Sequence, residues 1–118
     1  MVKKLETIAL LVAAGKSERM GARLPKPYLQ LGDEPLVRRA VRTFLNHPGI
    51  DGVRVVIRRE HHAHYRKAVE GLTLFPCAVG GESRQESVRL GLESLAHQHP
   101  QRVLVHDVAR PLATPALI

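Results

Sequence analysis

Three short stretches carry residues whose types and spacing suit the handling of a polyanion. The first is Leu10-Leu11-Val12-Ala13-Ala14-Gly15-Lys16-Ser17-Glu18-Arg19-Met20-Gly21, followed by Leu24-Pro25-Lys26-Pro27-Tyr28. Two alanines and a glycine let a flat ligand come close to the backbone, whose free N–H groups can hold phosphate oxygens. Arg19 offers a planar fork for phosphate and Lys26 a movable point charge. Together they point to a nucleoside triphosphate, although an ordinary βα turn with surface charges accounts for the same residues. The second stretch is Gly80-Gly81-Glu82-Ser83-Arg84-Gln85-Glu86-Ser87-Val88. A capping box explains Ser83 and Glu86 but leaves the glycine pair, which permits a sharp turn and close approach. The third is His106-Asp107-Val108-Ala109-Arg110-Pro111. An acidic residue ending a buried strand can hold Mg²⁺ between phosphates; Asp107 can equally cap a turn or pair with Arg110.

The elements that must position these stretches alternate. Apolar runs predict strands at Thr7–Ala13, Val53–Ile57, Thr73–Val79 and Arg102–His106. Between the first two, Gly32-Asp33-Glu34-Pro35 predicts a turn and helix start, with Asp33 or Glu34 as the cap. Leu36, Val37, Ala40, Val41, Phe44 and Leu45 share one stripe of that helix, and Arg38, Arg39 and Arg42 form a solvated face. Glu60–Glu70 predicts a second helix, on which Glu60, His61 and His64 could share a face. A polar surface explains those histidines better than a metal site, which would need further ligands. The third helix follows Ser83 and buries Val88, Leu92 and Leu95. Cys77 reads as a small buried hydrophobe. The order is βαβαβαβ. Right-handed crossovers bring the strand ends to one edge, so the loops after strands one, three and four face one crevice.

Composition narrows the classes of function. The chain of 118 residues is 44% hydrophobic and 25% charged, which suits one soluble globular domain. Eighteen basic against eleven acidic residues give +7, favouring polyanionic partners. The charge is scattered, tryptophan is absent and only four Phe and Tyr occur, so charge alone supports nucleic-acid binding weakly. A single cysteine excludes an internal disulfide and a cysteine-rich zinc site. Lys3-Lys4 before Ile8–Ala14 imitates a short signal peptide, but Glu6 interrupts the positive region and the run reads as a strand. No segment is long enough to cross a membrane. The default expectation is a cytoplasmic protein with no membrane or nucleic-acid partner.

The three stretches resemble the cytidylyltransferases that make 4-diphosphocytidyl-2-C-methyl-D-erythritol in the non-mevalonate isoprenoid pathway. The resemblance rests on Ala13-Ala14-Gly15 with Arg19-Met20-Gly21, Pro25-Lys26-Pro27-Tyr28-Leu29, Gly80-Gly81 with Arg84 and Ser87-Val88, and Val105-His106-Asp107 with Ala109-Arg110-Pro111. The first motif is common to many nucleotidyltransferases, and the others are more specific. It implies an α/β fold, Rossmann-like and three-layered, with a mostly parallel sheet, here truncated. Residues 1–118 would be a single nucleotide-binding domain, the N-terminal part of a longer cytidylyltransferase domain. The reaction would transfer CMP from CTP to 2-C-methyl-D-erythritol 4-phosphate and release pyrophosphate, with Mg²⁺ as cofactor and a homodimer at full length.

By the same resemblance, Arg19 and Lys26 are the catalytic cations. Ala13, Ala14, Gly15, Gly81, Glu82, Ser87, Ala109 and Arg110 bind the nucleotide, and Asp107 holds the metal. Three positions depart from the usual pattern: Ser17 where a second glycine is frequent, Glu82 where aspartate is, and Val108 where alanine is. The family's chain continues past Ile118 with a dimerising arm and acceptor cations, and the helix start at Thr114-Pro115 has the look of an interruption. A ribitol-phosphate or other sugar-phosphate nucleotidyltransferase shares much of the motif set. A truncated nucleotide-binding module without catalysis is the reading of another class.

Overall fold

A computed structural model describes residues 6–14 and 25–108. The first strand, β1 (Thr7–Val12), is buried along its whole length, as a strand covered on both faces must be. Asp51 Oδ2 anchors its start by accepting from the N–H groups of Glu6 and Thr7, at 3.0 and 2.9 Å. A two-strand hairpin follows, β2 (Gln30–Leu31) and β3 (Glu34–Pro35), turning at Gly32, whose φ is +70°. Then come α1 (Leu36–Leu45), β4 (Gly52–Ile57), α2 (His62–Ala68), β5 (Ala78–Val79), α3 (Arg84–Ser94) and β6 (Arg102–Asp107). The main sheet has the order β5-β4-β1-β6, with every pairing parallel. No helix among the described residues is long and apolar enough to cross a membrane.

The period-2 alternation of β1 divides the core into two layers. Ala9, Leu11 and Ala13 face Val37, Val41 and Phe44 of α1 and Tyr65 and Ala68 of α2. Ile8, Leu10 and Ala14 face the opposite way, with Val56 and Leu95. Helices thus cover both faces of β1 and β4, giving the three-layer α/β fold expected from the sequence. In contrast β6, expected to be a buried strand, is exposed or half-buried along its whole length. The stripe expected on α1 is in place, with Val37, Ala40, Val41 and Phe44 buried.

Several local expectations are corrected. Neither Asp33 nor Glu34 caps α1: Pro35 stands at the N-cap with no side-chain bond. Glu34 instead accepts from Arg42 Nε at 3.0 Å, which raises the pKa of Arg42 through that hydrogen bond. Arg38 is not simply solvated. Its guanidinium donates to the carbonyls of Ala68 and Glu70, at 3.1 and 2.7 Å, tying α1 to the end of α2. The third strand shrinks from Thr73–Val79 to two residues. Pro76 has no N–H for the ladder, and before it only Phe75 N reaches Val53 O, at 3.0 Å.

On α3 the buried positions are Ser87 and Gly91, continued by Leu95, while Leu92 is exposed. A methyl group on Gly91 would stand 2.7 Å from Val56 Cγ2 and 2.8 Å from Leu10 Cδ2. The helix therefore lies close on the sheet through small residues, a contact that hydrophobic periodicity overlooks. The second helix begins as a 3₁₀ turn at Arg59–His61. His61 is buried there, its ring edge-on to Tyr28 at 5.6 Å. It belongs to the core, not to a polar surface.

Candidate active site

The parallel sheet brings the C-terminal ends of β1, β4, β5 and β6 to one edge. Val12 is in register with Asp107 on one side and Val56 on the other. The sheet extends one residue beyond β1, since Ala13 N donates to Val56 O at 2.8 Å. That N–H is spent on the sheet, so Ala13 offers a ligand only its carbonyl edge. Ala14, buried beside it, stands where the strand opens into the loop. Gly15 and Arg19 lie outside the described residues, as do Ala109 and Arg110.

The glycine pair after β5 closes against this strand end. Gly80 N donates to Ile57 O at 2.8 Å. A Cβ on Gly80 would meet Ser87 Oγ at 2.5 Å, Ala14 Cβ at 2.7 Å and Val56 Cγ1 at 2.9 Å. Only glycine lets the two loops touch there. Ser87 is completely buried, and its Oγ accepts from Gly81 N at 3.1 Å. Its hydroxyl shapes the Gly81 turn from beneath, so it bears on a ligand through the backbone it holds.

Glu82 lies on the outer side of the turn. Its N–H donates to Glu86 Oε1 at 3.3 Å, while Glu86 N donates to Ser83 Oγ at 3.1 Å. The expected capping box is thus present with its return bond shifted one residue upstream. Gly80, Gly81, Glu82 and Glu86 line an open pocket of about 290 Å³ together with Arg58 and Arg59. Glu60 pairs with Arg58 at 3.0 Å. Its carboxyl is held below the usual range by a backbone hydrogen bond first and by the Arg58 bond second.

Lys26 opens a 3₁₀ turn, Lys26–Tyr28, between the buried Pro25 and Pro27. Two fixed φ angles pin its backbone while its side chain stands exposed. Tyr28, at the end of the same turn, is buried among His61, His64 and Tyr65, and burial pushes its hydroxyl pKa up. Asp107 closes β6. Its Oδ2 accepts from Arg84 Nε at 2.8 Å, and its side chain is 17% exposed.

Sequence reasoning overlooked two parts of this edge. Arg58 and Arg59 directly follow β4, and the rule that places the other strand ends also places them. Arg84 was a motif position without a role, and its ion pair with Asp107 spans 23 residues. Among the described residues no three His, Cys, Asp or Glu side chains group to cage a metal. A lone carboxylate at a strand end, already attractive to a cation, is a donor set that fits a metal carried mainly by phosphates.

Comparison with known proteins shows the family and the fold. The family described as IspD, 2-C-methyl-D-erythritol 4-phosphate cytidylyltransferase, matches residues 7–118. A bifunctional enzyme IspD/IspF of Rhodopseudomonas palustris is 45% identical over the whole chain. The protein of that name from Rhodospirillum rubrum is 49% identical over 93% of it. The chain spans only 29% of the length of each of these relatives. Among solved structures, a 4-diphosphocytidyl-2C-methyl-D-erythritol synthase superposes with a TM-score of 0.76 at 28% identity, over 97% of this chain and 51% of its own. The bifunctional IspDF of Campylobacter jejuni superposes with a TM-score of 0.74 at 26% identity, over 95% of this chain and 28% of its own.

Proposed function

The chain belongs to the 2-C-methyl-D-erythritol 4-phosphate cytidylyltransferase family, and on that premise we propose that it carries the CTP-binding part of such an enzyme. The whole protein transfers CMP from CTP to 2-C-methyl-D-erythritol 4-phosphate. An acceptor phosphate oxygen attacks the α-phosphorus in line and forms the new P–O bond. The bond to the β-phosphate bridging oxygen breaks, and pyrophosphate leaves with the electron pair. Such chemistry needs positioning and charge stabilisation more than a covalent nucleophile.

The observation that carries the reading is the convergence of four strand ends, with Ala14 against Gly80 and Asp107 in register with Val12. The base and ribose lie along the Gly81–Glu82 turn that Ser87 supports, with Ala109 on the nucleotide side. Backbone groups of Ala13, Ala14 and Gly15 would meet the cytosine and the triphosphate. Arg19 and Lys26 neutralise the triphosphate, and Arg110 belongs with Ala109 to the nucleotide side. Asp107 is the residue that would hold Mg²⁺, which when bound neutralises phosphate charge. The homodimer and the cytoplasmic location implied by the resemblance belong to the same reading.

Base choice tests it. Calorimetric titration in the presence of Mg²⁺ is expected to give tighter binding of CTP than of ATP or GTP. Equal or tighter purine binding would remove the cytidylyl assignment and leave a broader nucleotidyltransferase.

A further inference from the structure

A second cavity, of about 270 Å³, lies between the β2–β3 hairpin, α1 and α2. It shares no lining residue with the pocket at Gly80-Gly81. Gln30 and Pro35 come from the hairpin, Arg38 from α1, and His64 and Lys67 from α2. The two pockets differ in charge. Glu60, Glu82 and Glu86 line the one at the glycine turn, whereas no carboxylate is among the described residues that line this one. Its wall offers a guanidinium, an ammonium group, an imidazole and an amide, each able to donate. Tyr28 completes the wall. It is 3% exposed, and its hydroxyl has no hydrogen-bond partner among the described residues.

Arg38 is already held in place. Its Nη1 donates to the carbonyls of Ala68 and Glu70, at 3.1 and 2.7 Å. Those bonds cover the oxygens at the end of α2, which would otherwise repel an anion. Its Nη2 carries no hydrogen bond among the described residues. Glu34 stands 4.0 Å from Arg38 Nε, but its closer bond goes to Arg42 Nε, at 3.0 Å. Lys67 is exposed and has no ion pair among the described residues. It follows His64 by three positions, which puts the two on neighbouring parts of one helix face.

We propose that this cavity binds a dianionic phosphate group, free or as the monoester of a small metabolite, at a site separate from the nucleotide edge. A phosphate answers both cations at once, the open edge of the Arg38 fork and the Lys67 point charge. A neutral ligand would leave the two charges without an anion. The site does not depend on the functional reading given above.

Calorimetric titration of the full-length protein with inorganic phosphate, glycerol 3-phosphate and glycerol tests the site. Phosphate and the ester are expected to bind and glycerol is not, and the tighter of the two names the free or the esterified source. Lys67→Gln is expected to weaken phosphate binding about tenfold, the effect of one charge-assisted hydrogen bond at a partly exposed site, and Lys67→Arg to retain it. Arg66→Gln, an exposed neighbour on α2 outside the lining, is expected to stay within twofold of wild type. Saturating Mg²⁺–CTP is expected to leave inorganic phosphate bound, and Lys67→Gln to leave CTP affinity unchanged. Circular dichroism confirms that each variant is folded. Equal phosphate affinity in Lys67→Gln and wild type would overturn the site, as would an equal loss in Arg66→Gln. Displacement of phosphate by CTP, or a fall in CTP affinity in Lys67→Gln, would overturn its separation from the nucleotide edge. The comparison of CTP with ATP and GTP decides the functional reading independently of these results.

Discussion

Replacing Gly80 by alanine tests whether the first and third strand-end loops meet as closely as the geometry requires. The added methyl carbon would stand 2.5 Å from Ser87 Oγ, 2.7 Å from Ala14 Cβ and 2.9 Å from Val56 Cγ1. None of these atoms is the far end of a flexible side chain, and all three residues are buried. Overpacking of this kind costs about 1–3 kcal/mol, and three converging contacts put Gly80→Ala at the upper end. Gly80 is not among the glycines with positive φ. Alanine therefore fits the backbone and recovers about 0.4–1 kcal/mol from a stiffer unfolded chain. The steric effect wins, leaving a net loss of about 2 kcal/mol, or about 8 °C in Tm for a domain of this size. The relieving shift moves Ala14 and the Ser87–Gly81 bond, so CTP affinity falls about tenfold, as misplacement near an ångström can cause. Thermal unfolding and calorimetric titration read the two effects. Gly71→Ala is the control: its φ is +84° with nothing within 4 Å of the added carbon, so it costs about 1 kcal/mol of stability through backbone strain and leaves CTP binding alone. An unchanged Tm in Gly80→Ala would refute the close approach. A lowered Tm with normal CTP affinity would refute its place in the site.

Two further outcomes follow from the packing. Arg38→Ala removes the bonds to the Ala68 and Glu70 carbonyls and is expected to cost about 1 kcal/mol, a charged hydrogen-bond value discounted for solvent exposure; the exposed Arg39→Ala leaves the unfolding midpoint unchanged, and equal midpoints for the two variants would contradict the tie between the helices. Burial pushes the Cys77 thiol up, so less thiolate is present at pH 8 than for a free cysteine. Its reaction with a disulfide reagent should be at least about tenfold slower in the folded protein and rise on unfolding; an equal rate in both states would place the thiol at the surface.

The strands β1 and β4 were legible because buried parallel strands are long apolar runs, and α1 because it carries a clean stripe. Burial of β1 on both faces is written in Thr7–Val12. The failures share a physical origin. Pro76 limits β5, but an apolar run does not record where the ladder ends. Ser87 and Gly91 carry the α3 contact because small residues allow closeness, whereas the sequence pattern rewards bulk at Val88 and Leu92. Glu34 was free to cap its helix or to pair with Arg42, and only the fold selects between them. At the site, Gly80-Gly81, Ser87 and Asp107 stood out as motif positions, and the three-dimensional contacts among Ala14, Gly80 and Ser87 explain why glycine is needed. The Arg84–Asp107 pair links elements 23 residues apart, beyond the reach of any local rule.

The central claim concerns charge at the α-phosphate, and Lys26 is its sharpest probe. Two buried prolines pin the Lys26 backbone while the ammonium group stays exposed, so its removal leaves the packing intact. If the ammonium group acts on charge that develops in the transition state, Lys26→Ala in the full-length protein slows turnover more than it weakens CTP. Pyrophosphate release from CTP and 2-C-methyl-D-erythritol 4-phosphate should fall at least about 100-fold, the size of one lost transition-state contact, with CTP affinity within a few-fold of wild type. Near-normal turnover in Lys26→Ala would contradict the assignment of the site.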